Sequence, residues 1–179
     1  MLNCVAKGKI VVILLYKTTE SVSMYNLIGE YRIKIDEKGR IKLPKDLIRQ
    51  LNHDGAFPLV INRGYEKHLM IYPKNVWERK TNEINQLNIN KSEERLAMRY
   101  FYRGASVLEL DNIERVLIPS VLLEYASVEK DVVLFAYNEQ IELWDARAYF
   151  DFFEKEPVNF SALMDSISST KKIDKTGNE

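Results

Sequence analysis

The feature that most constrains the fold of this chain is an internal repeat. Residues 36–44, DEKGRIKLP, align with residues 111–119, DNIERVLIP, which come 75 positions later. In both copies, alternating apolar residues precede the motif, and a short apolar run and two further apolar segments follow it. A repeat of this kind indicates two copies of one supersecondary unit. For each copy we predict a strand, a turn, a strand, a short helix, a strand, a hairpin turn, a strand and a helix.

The residues of the repeated motif fit a tight turn between two strands. Gly39 stands where such a turn needs a positive φ, and the carboxylate of Asp36 can accept hydrogen bonds from backbone N–H groups two or three residues later. Asp111 takes the same place in the second copy. Pro44 and Pro119 should end a strand and occupy the first turn of the next helix, where their missing N–H costs nothing.

The residue inventory argues against an enzyme. Cys4 is the single cysteine, so there is no intramolecular disulfide, and with two histidines a zinc site is not expected. The seven glycines are scattered singly and form no phosphate-cradling loop. His53 and His68 lack partners at catalytic spacing, and we interpret them as surface or turn residues. We expect no metal, no cofactor and no small-molecule substrate.

Charge is concentrated around the first motif. Residues 30–50 contain seven basic and four acidic residues, and several of the cations alternate with apolar residues. Alternation of this kind is typical of a half-buried strand with its cations in water. It fits a solvated face and also a cationic ribbon that binds phosphate. The charged residues around the second motif are mainly acidic, namely Glu109, Asp111 and Glu114, and Arg115 is the cation there.

Further motifs point to a known family. Tyr72-Pro73 precedes Trp77, Arg99-Tyr100-Phe101 precedes Gly104, and Glu142-Leu143-Trp144-Asp145 closes the second copy. With the two Asp-x-x-x-Arg-x-x-x-Pro motifs, the chain resembles the MraZ family of bacterial transcriptional regulators over about residues 24–153. One departure is Glu114, which takes the place of the glycine usual in that family. Glu114 would need an unfavourable backbone geometry or a different turn.

The resemblance implies a fold of class α+β, mainly β. Two tandem AbrB/SpoVT-like repeats would interleave as an intramolecular swapped-hairpin β-barrel, a pseudo-dimer with short helices. The expected domains are 25–80 and 104–153, joined by a helical segment over 81–103. Residues 1–24 are interpreted as an artefactual or dispensable extension, with Met24 as an alternative start, in preference to a signal peptide. Residues 154–179 are rich in Ser and Lys, and we expect a disordered tail.

The resemblance also implies a function. Family members form ring-shaped homo-oligomers, bind short direct repeats of double-stranded DNA and repress their own operon, which is part of the division and cell-wall gene cluster. The expected location is therefore cytoplasmic and nucleoid-associated, without a membrane contact. The DNA-binding candidates are Arg40 as the guanine-contacting residue, with Arg115 contributing less, and the remaining cations as phosphate contacts: Arg32, Lys34, Lys38 and Lys42. Lys45 and Arg49 are weaker candidates.

Other interpretations remain open. Arg40 could instead form an ion pair with Asp36 that only stiffens the turn, and turn capping is the role expected of Asp36 and Asp111. The whole chain could be an AbrB/MazE-like antitoxin, although the doubled motif argues against it. It could also be an oligomeric scaffold that does not bind DNA.

Overall fold

The computed structural model describes residues 25–51, 57–154, 159–165 and 167. The proposed extension over residues 1–24 and His53 lie outside the described residues. The strands of the protein are β1 (Leu27–Lys34), β2 (Arg40–Lys42), β3 (Leu59–Arg63), β4 (Leu69–Pro73), β5 (Ser106–Leu108), β6 (Arg115–Leu117), β7 (Asp131–Asn138) and β8 (Gln140–Asp145). Its helices are α1 (Lys45–Gln50), α2 (Lys74–Ile84), α3 (Ser92–Tyr102), α4 (Ser120–Ala126) and α5 (Ala146–Glu154). All strand pairs are antiparallel, and the predicted α+β class with short helices is confirmed.

Both copies follow the predicted order of elements, and their prolines set the starts of the short helices. Pro44 and Pro119 are the N-cap residues of α1 and α4, one position before the first helical turn in which we expected them. The carbonyl of Pro44 accepts a hydrogen bond from the N–H of Ile48 at 3.0 Å. Their backbone positions suit an N-cap because that residue supplies a carbonyl to the helix and needs no N–H.

The two copies exchange strands within one sheet. The order of the six-stranded sheet is β1-β7-β8-β4-β3-β5, so the first strand of each copy pairs with the third strand of the other. β2 and β6 pair with each other in a separate two-stranded sheet. The closed swapped-hairpin barrel that we expected is not observed among the described strands. β1 and β5 are the two edges of the large sheet, and among the described strands β2 and β6 pair with each other and with neither edge.

Both copies contribute to one hydrophobic core. It lies on the face of the large sheet that carries Leu69, Leu134 and Leu143, which we call the core face. Strands β2 and β6 and helices α1 and α4 cover this face with fully or almost fully buried side chains: Ile41, Leu47, Val116 and Leu122. Because residues of both copies form this one cluster, the two copies fold as one unit.

The opposite, outer face of the sheet carries Met70, Phe135 and Glu142 in one cross-strand row. His68 is only 2% exposed beside this row and stacks on Trp144, with ring centroids 4.4 Å apart. Burial lowers the pKa of His68, although two nearby carboxylates act in the other direction. His68 therefore lies in the turn between β3 and β4, as one of the two alternatives predicted, but it is a buried residue and not a surface residue.

The C-terminal part departs from the expected disordered tail, because residues 160–165 are helical. The side-chain oxygen of Asn159 accepts a hydrogen bond from the N–H of Ala162 at 3.1 Å, which is a helix cap. Apolar residues recur at helical spacing: Phe160, Leu163, Met164 and Ile167. This period is hidden when the segment is judged by its serine and lysine content alone. Residues 155–158, 166 and 168–179 lie outside the described residues.

Candidate nucleic-acid interface

The two-stranded ribbon of β2 and β6 takes one strand from each copy of the repeat. Its register pairs Arg40 with Leu117, Ile41 with Val116, and Lys42 with Arg115. Ile41 and Val116 point into the core and are buried. Since directly opposite residues share a face, the outward face carries the other four side chains. It therefore presents three cations and one leucine.

The turns that precede the two strands of the ribbon have the same hydrogen-bond pattern. In the first, Oδ1 of Asp36 accepts backbone N–H bonds from Lys38 and Arg40 at 2.9 Å. In the second, Oδ1 of Asp111 accepts them from Ile113 at 3.0 Å and from Arg115 at 2.9 Å. Both aspartates thus cap their turns, which is the role expected from the sequence.

Each aspartate also binds the arginine four residues later. Nε of Arg40 donates to Oδ2 of Asp36 at 2.8 Å, and Nε of Arg115 donates to Oδ2 of Asp111 at the same distance. The hydrogen bond from the Arg40 side chain is the main reason that the pKa of Asp36 is lowered to about 2. The pKa of Asp111 is also lowered, mainly by the backbone N–H of Arg115. Both carboxylates are therefore ionised at neutral pH.

The ion pair holds Arg40 in place and leaves its side chain partly exposed. The pair involves Nε and Nη2, whereas the Arg40 side chain keeps 30% of its exposure. Nη1 of Arg115 lies 3.9 Å from Oδ2 of Asp36, so the two arginines approach the same carboxylate. An arginine has five N–H donors, and such a pair uses only some of them. Both alternatives for Arg40, turn stiffening and DNA contact, are compatible with this geometry.

Each turn is also hydrogen-bonded to the other copy. The carbonyl of Gly39 accepts from the N–H of Ile118 at 2.9 Å, and that of Glu114 accepts from the N–H of Leu43 at 3.0 Å. Gly39 has φ 78°, as predicted, and Glu114 has φ 66°. Glu114 therefore adopts the unfavourable left-handed geometry instead of forming a different turn. Such a conformation costs a residue with a side chain roughly 1–2 kcal/mol.

Replacing Glu114 by glycine is expected to stabilise the fold. Glycine removes the left-handed penalty but loses more conformational freedom on folding, so the net gain should be about 0.5–1 kcal/mol. Gly39→Ala is the matched control and should destabilise, because its Cβ would lie 3.2 Å from the carbonyl oxygen of Ile118 at a positive φ. Urea unfolding midpoints measure both effects. A lower midpoint for Glu114→Gly would show that its side chain contributes more than its backbone strain costs.

The cations of the first copy border the ribbon on one side. A surface cleft of about 560 Å³ is lined by residues 30–34 and 42–45, which include Lys34, Lys42 and Lys45. Lys38 is exposed in the first turn. Arg32 also lines the cleft, but its guanidinium lies 4.3 Å from the ring centroid of Phe150 on the outer face. The structure therefore places Lys38, Lys42 and Lys45 near the ribbon and directs Arg32 towards α5.

The second copy has apolar residues where the first has charged ones. Ile113 occupies the position of Lys38, Leu117 that of Lys42, and Val121 that of Asp46. These three side chains are 55%, 57% and 50% exposed. This difference is visible in the sequence when the outward positions of the two motifs are compared one by one, but not in a count of charges. The face that includes the ribbon is thus cationic on one side and apolar on the other.

The outer face of the large sheet holds a second feature, an open aromatic groove. It has a volume of about 500 Å³ and lies between α2 and α3 on one side and α5 on the other. Its lining includes Phe101, Phe135, Trp144 and Phe152, with the carboxylates of Glu66, Glu83 and Glu142 and the ammonium group of Lys80.

In the part of the chain that the structure describes, no group of three His, Cys, Asp or Glu side chains could hold a metal ion. None of the described helices has the length and apolar content needed to cross a membrane.

Comparison with known proteins gives consistent matches over both copies. A family model described as "MraZ protein, putative antitoxin-like" matches residues 27–100 and 101–166. A protein of Natranaerobius thermophilus named "Transcriptional regulator MraZ" is 31% identical over 140 residues, which cover 78% of this chain and 95% of the relative. A protein of Cytophaga hutchinsonii with the same name is 31% identical over 145 residues, which cover 80% and 96% of the two chains.

Proposed function

The chain belongs to the MraZ family, and from that premise we propose that it is a sequence-specific DNA-binding regulator of transcription. The observation that carries the proposal is that Arg40, Lys42 and Arg115 share the outward face of the ribbon. The names of its relatives support the same class of function. We propose no catalytic role.

The ribbon has suitable dimensions and chemistry for the major groove of B-DNA. That groove admits a two-stranded β-ribbon, and an arginine there can bind both acceptors of a guanine edge. We assign this contact to Arg40, and phosphate contacts to Lys38 and Lys42. Because β2 and β6 come from different copies, the two motifs would meet one DNA segment together. Arg115 would then contribute to the same contact, and not to a separate site in the second copy.

We further propose that the regulated genes are those implied by the family. They would be the protein's own operon within the division and cell-wall cluster, repressed through short direct repeats upstream. Several weak contacts on adjacent repeats gain affinity when the binding units are joined, because the later contacts become intramolecular. A repressor in the cytoplasm, associated with the nucleoid, fits this assignment.

Joined units require self-association, for which two surfaces of the chain are suited. Helix α3 has no buried residue, and Leu96 and Tyr100 are 53% and 61% exposed on it. Arg99 lies on the same side at helical spacing, and Arg103 directly follows the last residue of the helix. The groove on the outer face offers aromatic rings and an excess of carboxylates. We propose that α3 of one subunit packs against the groove of the neighbouring subunit. Such a contact is heterologous and can close into a ring.

The test of DNA binding is the salt dependence of affinity for the duplex directly upstream of the gene. For the parent protein, log affinity should fall linearly with log salt, with a slope of about 0.9 per phosphate neutralised. Lys42→Ala should flatten that slope and leave the preference among duplexes unchanged, because phosphate contacts carry no sequence information. Lys74→Ala removes an exposed lysine from α2 and serves as the control. Fluorescence anisotropy measures all three proteins, and absence of binding by the parent would favour a scaffold.

A further inference from the structure

One side chain on the outward face of the ribbon has no role in binding phosphate. Leu117 is directly opposite Arg40 and two residues from Arg115, and it is 57% exposed. In an antiparallel pair, directly opposite side chains are about 5 Å apart. Any molecule that contacts Arg40, Lys42 and Arg115 on this face must therefore also cover Leu117.

Leu117 is fixed next to the first turn. A Cβ built on Gly39 would lie 3.9 Å from Cδ1 of Leu117, so the leucine lies beside the tip of the first turn. Ile113, which precedes it by four residues, is similarly exposed. The corresponding positions of the first copy are lysines. The apolar residue is therefore a difference between the copies at one defined place on the ribbon.

The chemistry of the major groove leaves one partner for a leucine at this place. Base edges in that groove present hydrogen-bond donors and acceptors, and the C5-methyl group of thymine is the apolar exception. Phosphate oxygens would be desolvated by a leucine without any compensating hydrogen bond. An apolar contact with thymine would instead bury two apolar surfaces together.

We propose that Leu117 is a specificity-determining residue that contacts a thymine methyl group next to the base contacted by Arg40. This inference rests on the proposed function, because it requires the ribbon to enter the major groove. It adds that the recognised site contains a thymine, and that the apolar half of the ribbon selects it. The cationic half would bind irrespective of that methyl group.

Deoxyuridine tests the inference because it differs from thymidine only by the missing methyl group. The probe is the duplex directly upstream of the gene, with thymines replaced one at a time. The parent protein should lose about fourfold in affinity at one or more positions, the factor expected when one methyl group is no longer buried. Leu117→Ala should bind the thymine duplex about as weakly as the parent binds the uracil-substituted duplex. It should not distinguish thymine from uracil at those positions. Leu117→Met should keep the preference.

Lys42→Ala is the matched control from the equivalent position of the first copy. It should weaken binding equally on both duplexes and leave the thymine-to-uracil ratio of the parent unchanged. Circular dichroism checks that each variant folds. The inference is overturned if the parent binds but shows no position where uracil weakens binding, or if Leu117→Ala keeps the parent ratio. If the parent binds no upstream duplex, the proposed function itself fails.

Discussion

The double variant Leu96→Glu/Tyr100→Glu is expected to convert an oligomer into a single chain of 20.9 kDa. Both side chains are more than half exposed on α3, so the substitutions remove little from the fold itself. They would place two carboxylates against a groove that already has an excess of them, and like charges repel in a partly desolvated contact. Light scattering at micromolar concentration measures the mass.

Loss of the oligomer should also weaken binding to the upstream DNA. Linked binding units gain about 10²–10⁴ in affinity over single units, so the dissociated variant should lose a factor in that range. Ile28→Glu is the control, because Ile28 is an even more exposed apolar residue and lies on β1. It should leave both mass and affinity unchanged. An unchanged mass for the α3 variant would place the subunit contact elsewhere, and a parent that is itself a single chain would refute self-association.

Much of the fold follows from the repeat, but the pairing of its strands does not. The alternation in residues 31–35 and the apolar segments around residues 60 and 133 predict strands because the period of a strand is visible in the sequence. The pairing of β1 with β7 and of β5 with β3 joins segments that are far apart in the sequence, and the periodicity within a segment does not predict it. Sequential strands usually neighbour one another. Here the resemblance to a family, and not the pattern itself, indicated that the copies interleave.

The candidate site was predictable where its chemistry is local. Asp36 and Gly39 act within one turn, so their roles could be inferred from residue type and spacing. The direction of Arg32 could not, because it depends on Phe150, which is 118 positions away in the chain. The burial of His68 likewise depends on its stack with Trp144. Side-chain surroundings of this kind are decided by tertiary packing.

Replacing Arg40 by alanine should produce the largest loss of DNA affinity from a single substitution. A contact of the arginine–guanine kind contributes about 1–3 kcal/mol, and in an oligomer the loss is repeated in each subunit. The substitution empties no core position, since Arg40 lies on the outward face of β2. It also removes the main hydrogen bond that lowers the pKa of Asp36, so that pKa should rise towards its ordinary value.

Asp36→Asn separates a DNA contact by Arg40 from turn stiffening. The amide oxygen of asparagine can still accept the backbone hydrogen bonds of Lys38 and Arg40, but the ion pair with the guanidinium is lost. If Arg40 only stiffens the turn through that pair, both substitutions should weaken DNA binding to a similar extent. If Arg40 contacts DNA, Asp36→Asn releases the guanidinium and removes an anion from the interface.

The most direct test of a DNA-reading ribbon is therefore the affinity of the parent, Arg40→Ala, Asp36→Asn and the double variant for the upstream duplex, measured by fluorescence anisotropy at one salt concentration. We expect Arg40→Ala and the double variant to lose most of the binding, and Asp36→Asn to bind as tightly as the parent or more tightly. Equal losses for the two single variants would make Arg40 a turn residue. Binding as tight as that of the parent by all three variants would contradict the assignment of the ribbon to DNA.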